Sequence, residues 1–307
     1  MNNITNSNNI NELAFVCVHI GNYESKVEEP IDQTIICDYI LFTDDLSIKY
    51  RKWKLYDANK YKYGIDDNID MNKDYCNSLS NNNSMYNTYK FIKMNLHKLD
   101  ELKQYKYIIW IDANKRIINE NNALICKELL EKGGNFITFE VGSIEQQWAY
   151  ERGMIGEINE SLMRSVYMDQ DIINHALTMI EDGFYFTNTN IDLSLLYKKY
   201  KETQDVKYLE LIKNANKHKT FYKDNKKYLK IKWTGMIAID MINSSTKDIL
   251  ELWWYHNMKY STVEQISLPY ILWKLDLEPC FFEDYNYKVN NTMNNNDFFK
   301  VIVRNHN

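Results

Sequence analysis

Asp112 and Asn114 close an apolar run, Tyr107 to Ile111, in the stretch "YKYIIWIDANKRI" (105–117). In an extended chain residues i and i+2 point to the same side, so a carboxylate and an amide oxygen would face one ion. Mg²⁺ and Mn²⁺ prefer such hard oxygen ligands and keep open positions for the phosphates of a nucleotide. The alternative is a strand-end turn, where Asp and Asn bond their own backbone. Lys93 and His97 stand at i and i+4 in the preceding segment, with Lys90 nearly one turn earlier. On a helix they share a face, where a cation either holds a phosphate or is simply solvated. Asp169 and Asp171 open another helical segment, either as carboxylates that activate a hydroxyl or as an N-cap and a partner of the helix dipole. Glu264 has the same double reading, because Ser261-x-x-Glu264 spells a capping box. His306 is a further candidate metal ligand, or a frayed terminus.

These residues need a scaffold, and the hydrophobic pattern supplies one. Short apolar runs at 13–20, 38–45, 51–57, 107–111, 135–141 and 232–241 predict strands. The spacing of Ile92, Leu96, Leu99 and Leu102 predicts an amphipathic helix over 87–102. Further helices are expected at 121–134, 169–183, 246–258 and 261–275, the last kinked or split by Pro269, and a short strand in the tail 298–307. Strands alternating with helices imply an α/β fold, a mostly parallel central sheet flanked by helices. Ligands of such sheets bind beyond the carboxyl ends of the strands. Gly21-Asn22, Asp44-Asp45 and Asp112-Ala113-Asn114 all fall at such ends.

The 307 residues suit a single domain over 12–307, preceded by a polar, disordered Asn-rich leader at 1–11 and carrying a Lys/Tyr-rich helical insertion at 190–230. A net charge of −5, with no clustered basic face, argues against a nucleic-acid partner. The five scattered cysteines fit a reducing compartment. No run is long enough to span a membrane and the start does not read as a signal peptide, so the expected location is cytoplasmic.

Several motifs, in order from about residue 14 to 280, resemble the TOD/mucilage-type glycosyltransferase-like proteins of plants and bacteria. They are "HIGNYE" (19–24), "LFTDD" (41–45), Trp53, "KMNLH" (93–97), "YIIWIDAN" (107–114), "AYERG" (149–153) and "LELWWYHNMKYSTVEQISLPYILWKL" (250–275). "DQDIIN" (169–174) is similar to a segment of glycogenin-type sugar transferases. The resemblance implies a GT-A-like fold, a nucleotide-sugar donor such as a UDP-sugar, a divalent metal (Mn²⁺ or Mg²⁺) and a glycan or glycoprotein acceptor. Lys93, His97, Asp112, Glu151, Glu264 and Gln265 occupy its motif positions. The chain departs from it in lacking a His and an Arg before the Tyr-Glu motif, an Arg before the Lys–His helix, and Arg-Asp-Gln where Val263-Glu264-Gln265 stands.

The expected protein is therefore a metal-dependent glycosyltransferase. Gly21, Asn22, Asp44 and Asp45 would cradle the nucleoside, and Asp112, Asn114 and His306 would hold the metal against the diphosphate. Lys93 would neutralise the leaving group, and Glu264, Asp169 or Asp171 would activate the acceptor hydroxyl. Trp148 and Trp233 either stack on an acceptor sugar or belong to the core. The rival readings are a nucleotidyltransferase and a non-catalytic glycan- or nucleotide-binding protein.

Overall fold

The structure, a computed structural model, describes residues 11–21, 27–64, 84–140, 158–159, 161–163, 170–184, 193–217, 231–282 and 299–301. The first strand, β1 (Leu13–His19), is buried along its whole length. Its side chains alternate between two cores: Ala14, Val16 and Val18 enter one, Leu13, Phe15 and Cys17 the other. A strand apolar on both faces belongs inside a parallel sheet with cover on each side. β2 (Asp38–Thr43) and β3 (Lys54–Asp57) follow, then β4 (Tyr107–Ile111), β5 (Lys115–Ile117), β6 (Phe136–Glu140), β7 (Ile231–Asp240), β8 (Cys280–Phe281) and β9 (Phe299–Val301).

Seven strands form the central sheet in the order β3-β2-β1-β4-β7-β6-β8. β1 runs parallel to both β2 and β4, β7 is antiparallel to β4 and β6, and β8 is parallel to β6. The mostly parallel α/β sheet expected from the sequence is present. One core is closed by α1 (Ser84–Met94), α3 (Ile172–Glu181), α6 (Ser244–Lys259) and α7 (Glu264–Lys274), and by the hairpin α4 (Ser194–Thr203) and α5 (Val206–Lys217). The other is closed by α2 (Asn122–Glu131). The pair α4–α5 falls within residues 190–230, where the sequence led us to expect helix.

Three local expectations change. The helix foreseen over 87–102 stops at Met94, where Asn95 Nδ2 bonds the Phe91 carbonyl at 3.1 Å; the chain continues as 3₁₀ turns at Leu96–Lys98 and Asp100–Leu102. A side-chain amide competing for a helical carbonyl is a physical reason for such a stop. Pro269 neither splits nor ends α7, which runs through it. The tail strand β9 pairs with β5, a strand absent from the sequence reading, just after the Asp112–Asn114 segment. Residues 1–10 of the leader lie outside the described residues. Among the described residues no helix is long and apolar enough to cross a membrane. Cys17, Cys37 and Cys126 are free thiols.

Candidate active site at the end of the fourth strand

The chain leaves β1 toward β2 and β3 on one side, then returns to β4 on the other. The ends of β1 and β4 thus flank the place where strand order reverses, which is where open α/β sheets bind ligands. At the β1 end, Gly21 adopts a left-handed φ of 66°, and its N–H donates to Asp44 Oδ2 at 2.9 Å. Asp45 Oδ1 accepts from the Ser47 N–H at 2.9 Å and the Ser47 hydroxyl at 2.6 Å, an Asx-type turn. Both carboxylates are exposed. Asn22 lies outside the described residues.

The β4 end is built differently. Ile108 and Trp110 face the core under α1 and α7, so two residues on, Asp112 emerges toward the same helices. Its Oδ1 accepts from the Tyr89 hydroxyl at 2.6 Å and from Trp110 Nε1 at 2.8 Å, and lies 3.4 Å from Lys93 Nζ. Lys93, 1% exposed, also donates to the Thr234 carbonyl at 2.8 Å and to Glu264 Oε2 at 2.7 Å. The Lys90 ammonium bonds the other Glu264 oxygen, and the Thr234 hydroxyl bonds Oε2. Tyr89, Trp110 and Trp253 surround the Lys93 ammonium, their ring centroids 5.9, 5.4 and 6.0 Å away.

Burial raises the pKa of Glu264, but the ammonium groups of Lys90 and Lys93 outweigh it, and the net shift is downward. Burial likewise acts upward on Asp112; Lys93, the Tyr89 bond, Lys115 and the Trp110 bond bring it below the usual carboxylate range. Both groups stay ionised near neutrality. Only Asp112 retains appreciable access, with 27% of its side chain exposed against 4% for Glu264. Among the described residues no donor bonds its second oxygen, Oδ2.

The Asp112–Asn114 segment is a turn, not an extended pair: the Lys115 N–H donates to the Asp112 carbonyl at 2.9 Å. The Asn114 amide oxygen accepts from Lys115 Nζ at 2.6 Å. Among the described residues no three His, Cys, Asp or Glu side chains gather as ligands for an ion. Asp112 Oδ1 is engaged by several donors and the Asn114 amide oxygen by an ammonium, while Asp112 Oδ2 accepts from no donor among the described residues. His306 and Asp169 lie outside the described residues, as do Trp148 and Glu151.

The remaining candidates separate. Lys93 is a site residue, but its ammonium is spent on protein oxygens rather than facing outward. His97, past the end of α1, does not share a face with it; His97 Nε2 lies 3.4 Å from Glu251 Oε1 of α6 without hydrogen-bond geometry. Burial, then Lys98, lowers its pKa against the pull of Glu251. Glu264 forms no capping box: the N-cap of α7 is Val263, and the Ser261 hydroxyl pairs with His175 Nδ1 at 3.3 Å. Asp171 occupies the N-cap position of α3 and accepts from Asn174 Nδ2 at 2.5 Å. Gln265 is half-buried in the first turn of α7.

Tyr89, Lys115, Thr234 and Gly235 were not singled out by sequence. A Cβ on Gly235 would stand 3.1 Å from Lys115 Cε and 3.2 Å from Asp112 Oδ2. Glycine inside the apolar run "KWTGMIAID" was the available signal, since a strand glycine often marks a close approach.

No protein-family model matches the chain, and no curated protein matches it. Among solved structures it is similar to mouse xyloside xylosyltransferase 1 in its apo form, at a TM-score of 0.41 and 8% identity, over 88% of this chain and 83% of that one. It is also similar to the mannosyltransferase Ktr4p from S. cerevisiae, at a TM-score of 0.36 and 12% identity, over 85% of this chain and 66% of that one. Likenesses this distant assign no activity, and the family resemblance stands on the motifs quoted above.

Proposed function

We propose that the protein is a glycosyltransferase that moves a sugar from a nucleotide-sugar donor, a UDP-sugar in the first instance, to a hydroxyl of a glycan or glycoprotein acceptor. The observation that carries this reading is an ionised, partly open carboxylate, Asp112, held by Tyr89, Trp110 and Lys93 beside the strand-order reversal. The motif resemblance supports it independently.

In glycosyl transfer the sugar carbon becomes oxocarbenium-like as the diphosphate departs. A carboxylate held below its usual pKa is a poor proton acceptor but a constant negative charge. Asp112 therefore serves to hold donor hydroxyls through Oδ2 and to oppose the developing positive charge. Glu264, buried and fully engaged, is a positioning residue: it fixes Lys90 and Lys93, and through Lys93 the carboxylate of Asp112. Removal of the acceptor proton falls to solvent or to a group outside this cluster.

The test is release of nucleoside diphosphate from a panel of nucleotide-sugars, with and without glycan acceptors, by wild type and Asp112→Asn. The amide keeps an oxygen for Tyr89 and Trp110 but removes the charge. Turnover should fall by about 100-fold or more, in the range of losing one preorganised electrostatic group, with the melting transition still cooperative. Equal turnover by the variant refutes the role of Asp112. Release of pyrophosphate in place of a nucleoside diphosphate would point to nucleotidyl transfer.

A further inference from the structure

The sequence set a divalent cation against Asp112 and Asn114; the folded chain brings one of its own ammonium groups, that of Lys115, to the Asn114 oxygen without a direct ion pair to Asp112. Lys115 Nζ donates to Asn114 Oδ1 at 2.6 Å, and its charge helps hold the Asp112 carboxylate ionised. Its chain and Asp112 Oδ2 converge over one bare α-carbon, that of Gly235. Any side chain at position 235 would stand between them. Lys115 is positioned from both ends, by the backbone turn that bonds its N–H to the Asp112 carbonyl and by β5, which it opens.

We propose that Lys115 takes the place of a divalent ion at this site, binding the donor's diphosphate and neutralising it as it leaves, so that the protein binds nucleoside diphosphates without metal. This rests on the transferase reading above. Lysine binds phosphate as a compact point charge with several donors, which suits an ammonium already fixed by the Asn114 amide oxygen. In the transfer, the bond between the sugar carbon and the diphosphate oxygen breaks with its electron pair staying on the diphosphate. The acceptor oxygen bonds that carbon and loses its proton to solvent. Lys115 remains protonated throughout and supplies only charge and hydrogen bonds. Gly235 is a positioning residue, keeping the space that Lys115 and Asp112 share.

The experiment is calorimetric titration of the full chain with uridine, guanosine and adenosine diphosphates, in EDTA and again in Mn²⁺. Wild type should bind at least one of them in EDTA, with a Kd within about three-fold of that in Mn²⁺. Lys115→Met should weaken diphosphate binding by ten-fold or more while leaving binding of the parent nucleoside unchanged, a split that loss of a purely structural lysine would not produce. Lys115→Arg should restore part of the loss. Binding that requires Mn²⁺ overturns the proposal, and this arm uses wild type alone, so it holds even if a variant fails to fold. Diphosphate binding left intact by Lys115→Met overturns it too. Failure of every nucleotide in both conditions would overturn it together with the transferase reading, an outcome distinct from a metal requirement.

Discussion

Two buried polar clusters lie on the same side of the sheet, and they solve burial in opposite ways. At the β4 end, Lys90, Lys93, Glu264 and Asp112 remain charged, each opposed by the other sign and by neutral donors. Between α3 and α6, His175 Nε2 meets His256 Nδ1 at 3.1 Å, with the Tyr260 ring stacked on His175 at 4.7 Å. There the charge is suppressed. Burial and then His256 hold His175 well below the ordinary histidine range. Burial, then Lys274 and Lys259, push His256 down to about 4 against the pull of Asp182. A protein keeps buried charge, at a desolvation cost, where charge is needed; elsewhere a neutral hydrogen bond and stacked rings are enough.

The largest expected effect breaks the charged cluster from within. Glu264→Gln removes the carboxylate that Lys90 and Lys93 share and should cost about 3–5 kcal/mol in urea unfolding. Adding Lys90→Met should recover part of that loss, because the two residues are coupled. A Glu264→Gln protein of wild-type stability would show that the cluster does not hold the helices.

Acid should sharpen the contrast. The histidines have folded pKa values below their unfolded value near 6.5, so the unfolded chain binds more protons between those values. Stability should therefore fall as pH drops below about 6.5 toward about 4, by up to about 1.4 kcal/mol per pH unit for each histidine. Asp112 and Glu264 are depressed carboxylates, whose contribution is intact above their unfolded values near 4 and is lost as pH falls below them through the folded ones. In His256→Phe the loss between pH 6.5 and 4 should be shallower, while the fall at lower pH remains. An unchanged slope would contradict the histidine assignment.

Tyr89→Phe removes one donor from Asp112 and keeps the ring packed against Trp110. It should cost about 1.5–3 kcal/mol, the range for a hydrogen bond to a charged group, and lower turnover less than Asp112→Asn does. Smallest of all, His97→Leu should leave turnover unchanged within two-fold, since His97 faces Glu251 and not the cluster. A large loss would restore the role that the family motif implies.

Much of this was legible in the chain because local pattern and tertiary outcome agree. Runs such as "LAFVCVH" and "YIIWI" are apolar on both faces, and a segment like that has few places to go except the middle of a covered sheet. The strand-end rule then located Asp112 without coordinates. The same local reasoning failed where long-range partners decide. Ser261 and Glu264 have capping-box spacing, yet His175 takes one and Lys90 and Lys93 take the other. Asn114, expected as an ion ligand from its spacing, accepts from Lys115, a partner the spacing did not indicate. Lys93 and His97 have helical spacing, and a helix that stops at Met94 separates them.

Diphosphate binding is assigned to the ends of β1 and β4, where Asp112 stands. Diffraction from crystals grown with a nucleoside diphosphate tests it most directly. Density for the diphosphate is expected beside the 112–115 turn, within hydrogen-bonding reach of Lys115. Nucleotide bound elsewhere on the molecule, with that turn and Asp112 untouched, would contradict it.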